Sequence, residues 1–143
     1  MVHIGFEQNV NAAAAEVWDC YMGSRALELA TGVYAESITV EGEGVGSVRV
    51  SKLLGGGGTL RERLDALDEK NFHCKYSVIE RGAMPFADYK GEIKVTPTGP
   101  NTCILRLQAD FTAVGMGEQQ CIAMYLDNNL KGIAKMKAML GLD

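Results

Sequence analysis

Histidine is scarce in this 143-residue chain, with only His3 and His73, and its four cysteines (Cys20, Cys74, Cys103, Cys121) are widely spaced without a CxxC pair. A zinc site therefore has little to draw on, and neither a metal nor another cofactor is expected. The same cysteine usage suits reduced thiols in a cytoplasmic protein. Clustered lysine and arginine are also missing, and the net charge is −4. Nucleic acid and anionic membrane surfaces both need a concentrated basic face, so neither is expected as the main partner. No stretch approaches the roughly 18 apolar residues of a membrane span, which argues against integral membrane contact. The opening MVHIGFEQNV alternates and lacks a charged segment before an apolar run, so it does not read as a signal peptide. There is no Ser-His-Asp set, and the glycine run Gly55–Gly58 lacks the Lys-Ser/Thr of a phosphate-binding loop.

What is present fits an ordinary globular chain, 47% hydrophobic and 22% charged. Its length suits one domain spanning residues 1–143. Residues 2–10 alternate as Val2, Ile4, Phe6 against His3, Gly5, Glu7, a strand pattern. Asn11 is positioned to cap a helix in NAAAAEVWDCY, with Val17, Cys20 and Tyr21 along one side. Ser24 is positioned to cap a second short helix, SRALELA, closed by Gly32. The period then changes to two: Tyr34–Glu41, Val45–Leu53, Thr59–Leu67, Phe72–Glu80, Phe86–Thr96 and Thr102–Val114 read as strands. Short turn-like links such as EGEG, GGGG and PTGPN separate them, and links this short favour antiparallel neighbours. Gly117–Leu142 closes the chain as one long amphipathic helix with Ile122, Tyr125, Leu126, Ile133, Met136 and Leu140 along a face. The expected fold is α+β, a seven-stranded curved antiparallel sheet with two short helices, gripping the long helix around a cavity.

Some polar residues sit where apolar ones are expected. Glu62 shares a strand face with Leu60, Leu64 and Ala66, and a carboxylate there is costly unless hydrated or paired. It either reaches water at a strand end or lines a wet cavity. In Tyr34–Val40 one register turns Tyr34, Glu36, Ile38 and Val40 inward, and the other turns Val33, Ala35 and Ser37 inward. In Val45–Leu53, periodicity prefers Val48 and Val50 inside, which leaves Arg49 outside. On the long helix Asn129, a turn beyond Tyr125 and a turn before Ile133, falls on the inward side. His73 reads as exposed, Trp18 as structural packing, and Met124, Met136 and Met139 as core or adaptable wall.

The opening strand followed by NAAAAEVWD, then VGSVRV, TLRERLDALDEKN, MPFADYKGEIKV and the terminal helix resemble the START/Bet v 1-like (SRPBCC) helix-grip superfamily. The likeness is to its polyketide cyclase/dehydrase and lipid-transport branch, and it covers nearly the whole chain. The arrangement is also similar to the plant abscisic-acid receptors, where the glutamate of an ERL segment, an arginine of the third strand and a later tyrosine line the ligand cavity. The resemblance implies that Glu62, Arg49 and Tyr89 do so here, with Glu36, Tyr76 and Asn129 at matching positions. It therefore turns Arg49 inward, where it could pair with Glu62. The loops depart from those receptors: LLGGGG and ERGAMPF replace the proline-containing gate and the His-Arg-Leu latch. A flexible glycine lid over the cavity is one expectation that follows.

Three functions are consistent with this reading. In the first, the chain binds or carries a small hydrophobic, aromatic or polyketide-like molecule. Leu64, Leu107, Phe111, Tyr125 and Ile133 are apolar walls, and Glu36, Arg49, Glu62, Tyr76, Tyr89 and Asn129 polar anchors. In the second, it is a metal-independent cyclase, aromatase or isomerase with Glu62 as acid or base and Tyr89 or Tyr76 as hydrogen-bond donor. In the third, it is a protein-interaction module whose interior is only core. A monomer or a homodimer is expected.

Overall fold

The computed structural model describes residues 1–142. Its elements run β1 (Val2–Val10), α1 (Ala14–Met22), α2 (Ala26–Ala30), β2 (Ala35–Glu41), β3 (Val48–Leu53), β4 (Thr59–Asp68), β5 (His73–Glu80), β6 (Phe86–Gly99), β7 (Thr102–Ala113) and α3 (Glu118–Met139). The strands form one seven-stranded sheet in the order β1-β7-β6-β5-β4-β3-β2, antiparallel throughout. The sheet is curved and α3 is the long helix it grips, so the helix-grip α+β architecture expected from the sequence is the one observed.

Two caps differ from the sequence reading. α1 begins at Ala14, after Ala13 in extended conformation, and no side chain caps it. Asn11 lies too far upstream to serve. The alanines between them explain this, because Ala12 and Ala14 are buried and the chain enters the helix through the core. Ser24 does not cap α2 either. Its backbone N–H and its hydroxyl donate to Asp19, at 2.8 Å and 3.0 Å to Oδ1, and α2 starts two residues later at Ala26.

β-Bulges decide which side chains face inward. A bulge inserts one residue into one strand and reverses the alternation beyond it. In β2 the partners step from Ala35↔Leu53 to Ser37↔Lys52, leaving Glu36 as the extra residue. Ala35 is buried before the bulge, and Ile38 and Val40 lie opposite the inward Ser51 and Arg49 after it. In β4 the step from Leu64↔Tyr76 to Ala66↔Lys75 makes Asp65 the extra residue. Leu67 consequently takes the inward place expected of Ala66, which is exposed. In β6 the extra residue is Asp88, whose φ is +51°. Phe86 and Tyr89, three residues apart, thereby both point inward and are both buried.

The core has two parts, and α3 anchors one with each end. Near its start, Cys121 and Tyr125 pack with Phe86, Tyr89 and Phe111. Toward its end, Ile133 and Met136 pack with Val17, Trp18, Val95 and Leu105. Trp18 also stacks obliquely on Phe72, ring centroids 5.9 Å apart, in keeping with a structural role. Each large apolar side chain buried here contributes about 1.5–3 kcal/mol. Between the two anchors the helix presents Asn128, Asn129 and Gly132, which are too small or too polar to fill the space. That interruption keeps the middle of the fold hollow. His73 lies on the other face of the sheet and is half-buried rather than exposed, because its Nε2 meets Glu92 Oε1 at 2.5 Å.

Candidate functional site: a tyrosine-lined cavity

The hollow is a cavity of about 670 Å³ between the sheet, α2 and α3, large enough for a drug-sized molecule. All five tyrosines of the chain line it: Tyr21 from α1, Tyr34 ahead of β2, Tyr76 from β5, Tyr89 from β6 and Tyr125 from α3. Their presence on five separate segments makes the wall aromatic on several sides. Leu29, Leu60, Leu64, Leu67, Met84, Ile93 and Leu107 supply aliphatic surface between them.

Local geometry sets the rings. Gly91 lies directly across from Tyr76 in the β5–β6 pair, so the Tyr76 ring can lie over the neighbouring strand. Tyr76 and Tyr89 then meet with hydroxyl oxygens 3.5 Å apart and ring centroids 6.0 Å apart. Tyr89 is backed by Phe111, stacked at 14° and 6.0 Å, and Phe111 takes the edge of Phe86 at 4.8 Å. Phe111 is therefore a second layer behind the wall.

Arg49 and Glu62 are cross-strand partners in the β3–β4 pair, and both line the cavity. Arg49 thus faces inward, as the family resemblance implied and against the periodicity of Val48 and Val50. They do not form the ion pair that was expected. Among the described residues, no carboxylate is within salt-bridge distance of Arg49. Glu62 Oε1 is buried with no hydrogen-bond partner, and so are Tyr21 Oη and Ser51 Oγ. Burial raises the pKa of the Glu62 carboxyl above the ordinary carboxylate range, and Arg49 offsets only part of that rise. Burial also opposes the charge on Arg49, but Tyr34 and Glu62 more than compensate, so the guanidinium stays cationic. The tyrosines remain neutral phenols: burial pushes Tyr34 up to about 12, and it raises Tyr21, Tyr76, Tyr89 and Tyr125 as well.

Of the residues singled out from the sequence, Arg49, Glu62, Leu64, Tyr76, Tyr89, Leu107, Tyr125 and Asn129 come together on the cavity wall. Asn129 donates its amide to the Tyr125 carbonyl at 2.8 Å, which leaves its carbonyl oxygen for the cavity. Three are placed elsewhere. Glu36 is turned out by its bulge and pairs with Lys52 at 3.4 Å. Phe111 is fully buried behind Tyr89, and Ile133 belongs to the core cluster around Trp18. Sequence reasoning missed Tyr21 and Tyr34 as site residues, together with Met22, Met84 and Gly132. A glycine inside a helix was the readable signal for Gly132, since it costs about 1 kcal/mol relative to alanine.

The lining residues that are also exposed mark the mouth: Gly23, Ser24 and Leu27 on the helical side, and Val40, Gly44 and Glu69 on the strand side. The Gly55–Gly58 loop is not among the lining residues. Gly57 accepts a hydrogen bond from Ala83 N–H at 2.8 Å, and Gly58 one from Leu53 N–H at 2.9 Å. The first of these bonds ties the loop to the β5–β6 turn, and none of its four glycines forms part of the cavity wall. Among the described residues no three His, Cys, Asp or Glu side chains gather as a metal site, and no helix is long and apolar enough to cross a membrane.

Comparison with known proteins places this geometry in context. The family model described as polyketide cyclase / dehydrase and lipid transport matches residues 1–135. Among solved structures, the protein XoxI from Bacillus cereus is similar at a TM-score of 0.82 and 22% identity, over 97% of this chain and 95% of that one. Norcoclaurine synthase from Thalictrum flavum, solved in complex with dopamine and hydroxybenzaldehyde, is similar at a TM-score of 0.72 and 22% identity, over 99% of this chain and 88% of that one. A protein from Thermobifida fusca is similar at a TM-score of 0.64 and 24% identity, over 80% of this chain and 76% of that one. At these identities the likeness is one of fold. No curated protein matches the chain.

Proposed function

The chain belongs to the polyketide cyclase / dehydrase and lipid transport family, and on that premise we propose that its cavity binds one small aromatic or polyketide-like molecule. The observation that carries this reading is the convergence of every tyrosine in the chain on one cavity. Aromatic rings stack on one another and offer hydroxyls at their rims, and a mostly apolar wall with few polar anchors is the usual makeup of a small-molecule site. The similar norcoclaurine synthase was solved with dopamine and hydroxybenzaldehyde, both small aromatic molecules, which supports the same ligand class. Binding should raise the melting temperature by mass action. A screen of aromatics, polyketides and lipids by thermal shift tests this, and a library without effect would weigh against it.

A second reading is supported by Glu62. A carboxyl whose pKa burial raises, set in a mostly apolar wall with the neutral donors Tyr76 and Tyr89, suits general acid or base work. The chain would then be a metal-independent cyclase, aromatase or isomerase. Once a substrate is found, Glu62→Gln should abolish most turnover while leaving binding. Unchanged turnover would leave Glu62 a binding residue only.

A further inference from the structure

We propose that Tyr76 and Tyr89 together hold one carbonyl oxygen of the bound molecule, so that the ligand of this cavity is an aromatic ketone, aldehyde or quinone. This inference rests on the reading that the cavity binds a small aromatic molecule, and it adds the functional group that the wall recognises.

Two separate backbone features bring these hydroxyls together. Tyr76 crosses Gly91 of the neighbouring strand, and a Cβ at Gly91 would lie 2.5 Å from the Tyr76 hydroxyl oxygen. Tyr89 is turned inward by the bulge at Asp88 and stacked on Phe111. The two residues line the cavity with their hydroxyl oxygens 3.5 Å apart. Hydroxyl–hydroxyl bonds are ordinarily about 2.5–3.0 Å long, so at this separation neither ring holds the other's proton firmly. Among the described residues neither oxygen has another hydrogen-bond partner. Phenols ordinarily titrate near pH ~10, so both keep their protons at neutral pH whatever the charge on Glu62.

Two donors set this close suit one acceptor between them. A carbonyl oxygen carries two lone pairs and accepts two hydrogen bonds at once. Placed about 2.8 Å from each hydroxyl, a usual length for such a bond, it spans their 3.5 Å separation. An apolar group in the same place would strip water from both hydroxyls and return nothing. Tyr76 is held over Gly91 and Tyr89 is backed by Phe111, so little ordering is left for the ligand to impose. Leu64 and Leu107 line the same cavity and leave aliphatic surface for the rest of the molecule.

The test uses two molecules of one shape, 2-acetylnaphthalene and 2-ethylnaphthalene, titrated into the full chain by calorimetry at neutral pH. The ketone is expected to bind on the order of tenfold tighter than the hydrocarbon. Tyr76→Phe and Tyr89→Phe should each remove about threefold of that preference. The double variant should remove all of it without weakening 2-ethylnaphthalene. Infrared spectra of bound 2-acetylnaphthalene give a second readout, since each hydrogen bond lowers the carbonyl stretch. The stretch should be lowest in the wild type, higher in each single variant and highest in the double one. The single variants decide the matter if the double variant fails to fold. Equal binding of the two molecules to the wild type overturns the carbonyl assignment but leaves the aromatic site standing. A preference for the ketone and a lowered stretch that persist unchanged in the phenylalanine variants overturn it too. Failure of both molecules to bind overturns both this inference and the binding reading beneath it.

Discussion

Gly91 faces Tyr76 directly across the β5–β6 pair, and a methyl group added to Gly91 would lie 2.2 Å from Tyr76 Cζ. The absence of one side chain thus makes room for the ring that forms part of the cavity wall. Gly91→Ala should cost about 1–3 kcal/mol, as overpacking typically does. In a Tyr76→Leu background the same substitution should cost much less, because the clashing atoms are gone. A double-mutant cycle by urea denaturation reads this coupling, and equal penalties in the two backgrounds would disprove it.

The raised pKa of Glu62 makes a statement about pH. Below the ordinary value of 4.5 the carboxyl is protonated in both the folded and the unfolded chain, and it adds no pH dependence. As the pH rises past that value, the unfolded chain releases its proton while the folded one keeps it. Stability therefore falls with pH until the folded carboxyl also ionises. Glu62→Gln cannot ionise and should escape that loss. Denaturation midpoints of the two proteins should converge in acid and separate toward neutral and alkaline pH, with the glutamine variant the more stable. A wild type that gains on the variant as pH rises would reverse the assignment.

Asp88 occupies left-handed backbone at φ +51° and is the extra residue of the bulge that aims Tyr89 inward. Aspartate tolerates this region better than branched residues do. Asp88→Val should cost about 1–2 kcal/mol, whereas Asp88→Gly should leave stability nearly unchanged. Thermal unfolding of both variants checks the contrast, and a valine variant as stable as wild type would show that the bulge does not need its positive φ.

The strands and the long helix were readable because alternation and helical period persist over many residues and the links between strands are short. The bulges were not, because one inserted residue leaves no mark in composition. Glu36 and Ala66 were both misplaced for that reason, each on the wrong side of a register step. Arg49 shows a different limit. Val50 and Lys52 line a shallow groove on the outer face of the sheet with Ser37 and Thr39. A β-branched residue suits a half-covered outer face as well as a core, so valine alternation could not choose the side. The resemblance supplied that choice. Asn129 was readable from helical spacing alone, but Tyr21 and Tyr34 lie on segments whose approach to the cavity depends on how α1, α2 and β2 fold back. That is a long-range relationship which local periodicity does not carry.

The central claim is that one small aromatic molecule occupies the cavity, and Gly132 gives the most direct access to it. This glycine lies in the middle of α3 and lines the cavity. A Cβ placed there would meet nothing closer than Leu29 Cδ2 at 3.9 Å and Tyr21 Oη at 4.0 Å. A larger side chain can therefore enter the hollow from a helix that gains intrinsic propensity in the exchange. The decisive measurement is binding stoichiometry and affinity for the best aromatic ligand, compared between wild type and Gly132→Phe, with melting temperatures recorded for both. The account predicts one molecule per chain for the wild type. For the variant it predicts an equal or higher melting temperature and affinity reduced by about tenfold or more. A variant that folds as well and binds just as tightly would show that the ligand sits elsewhere, and would contradict the account.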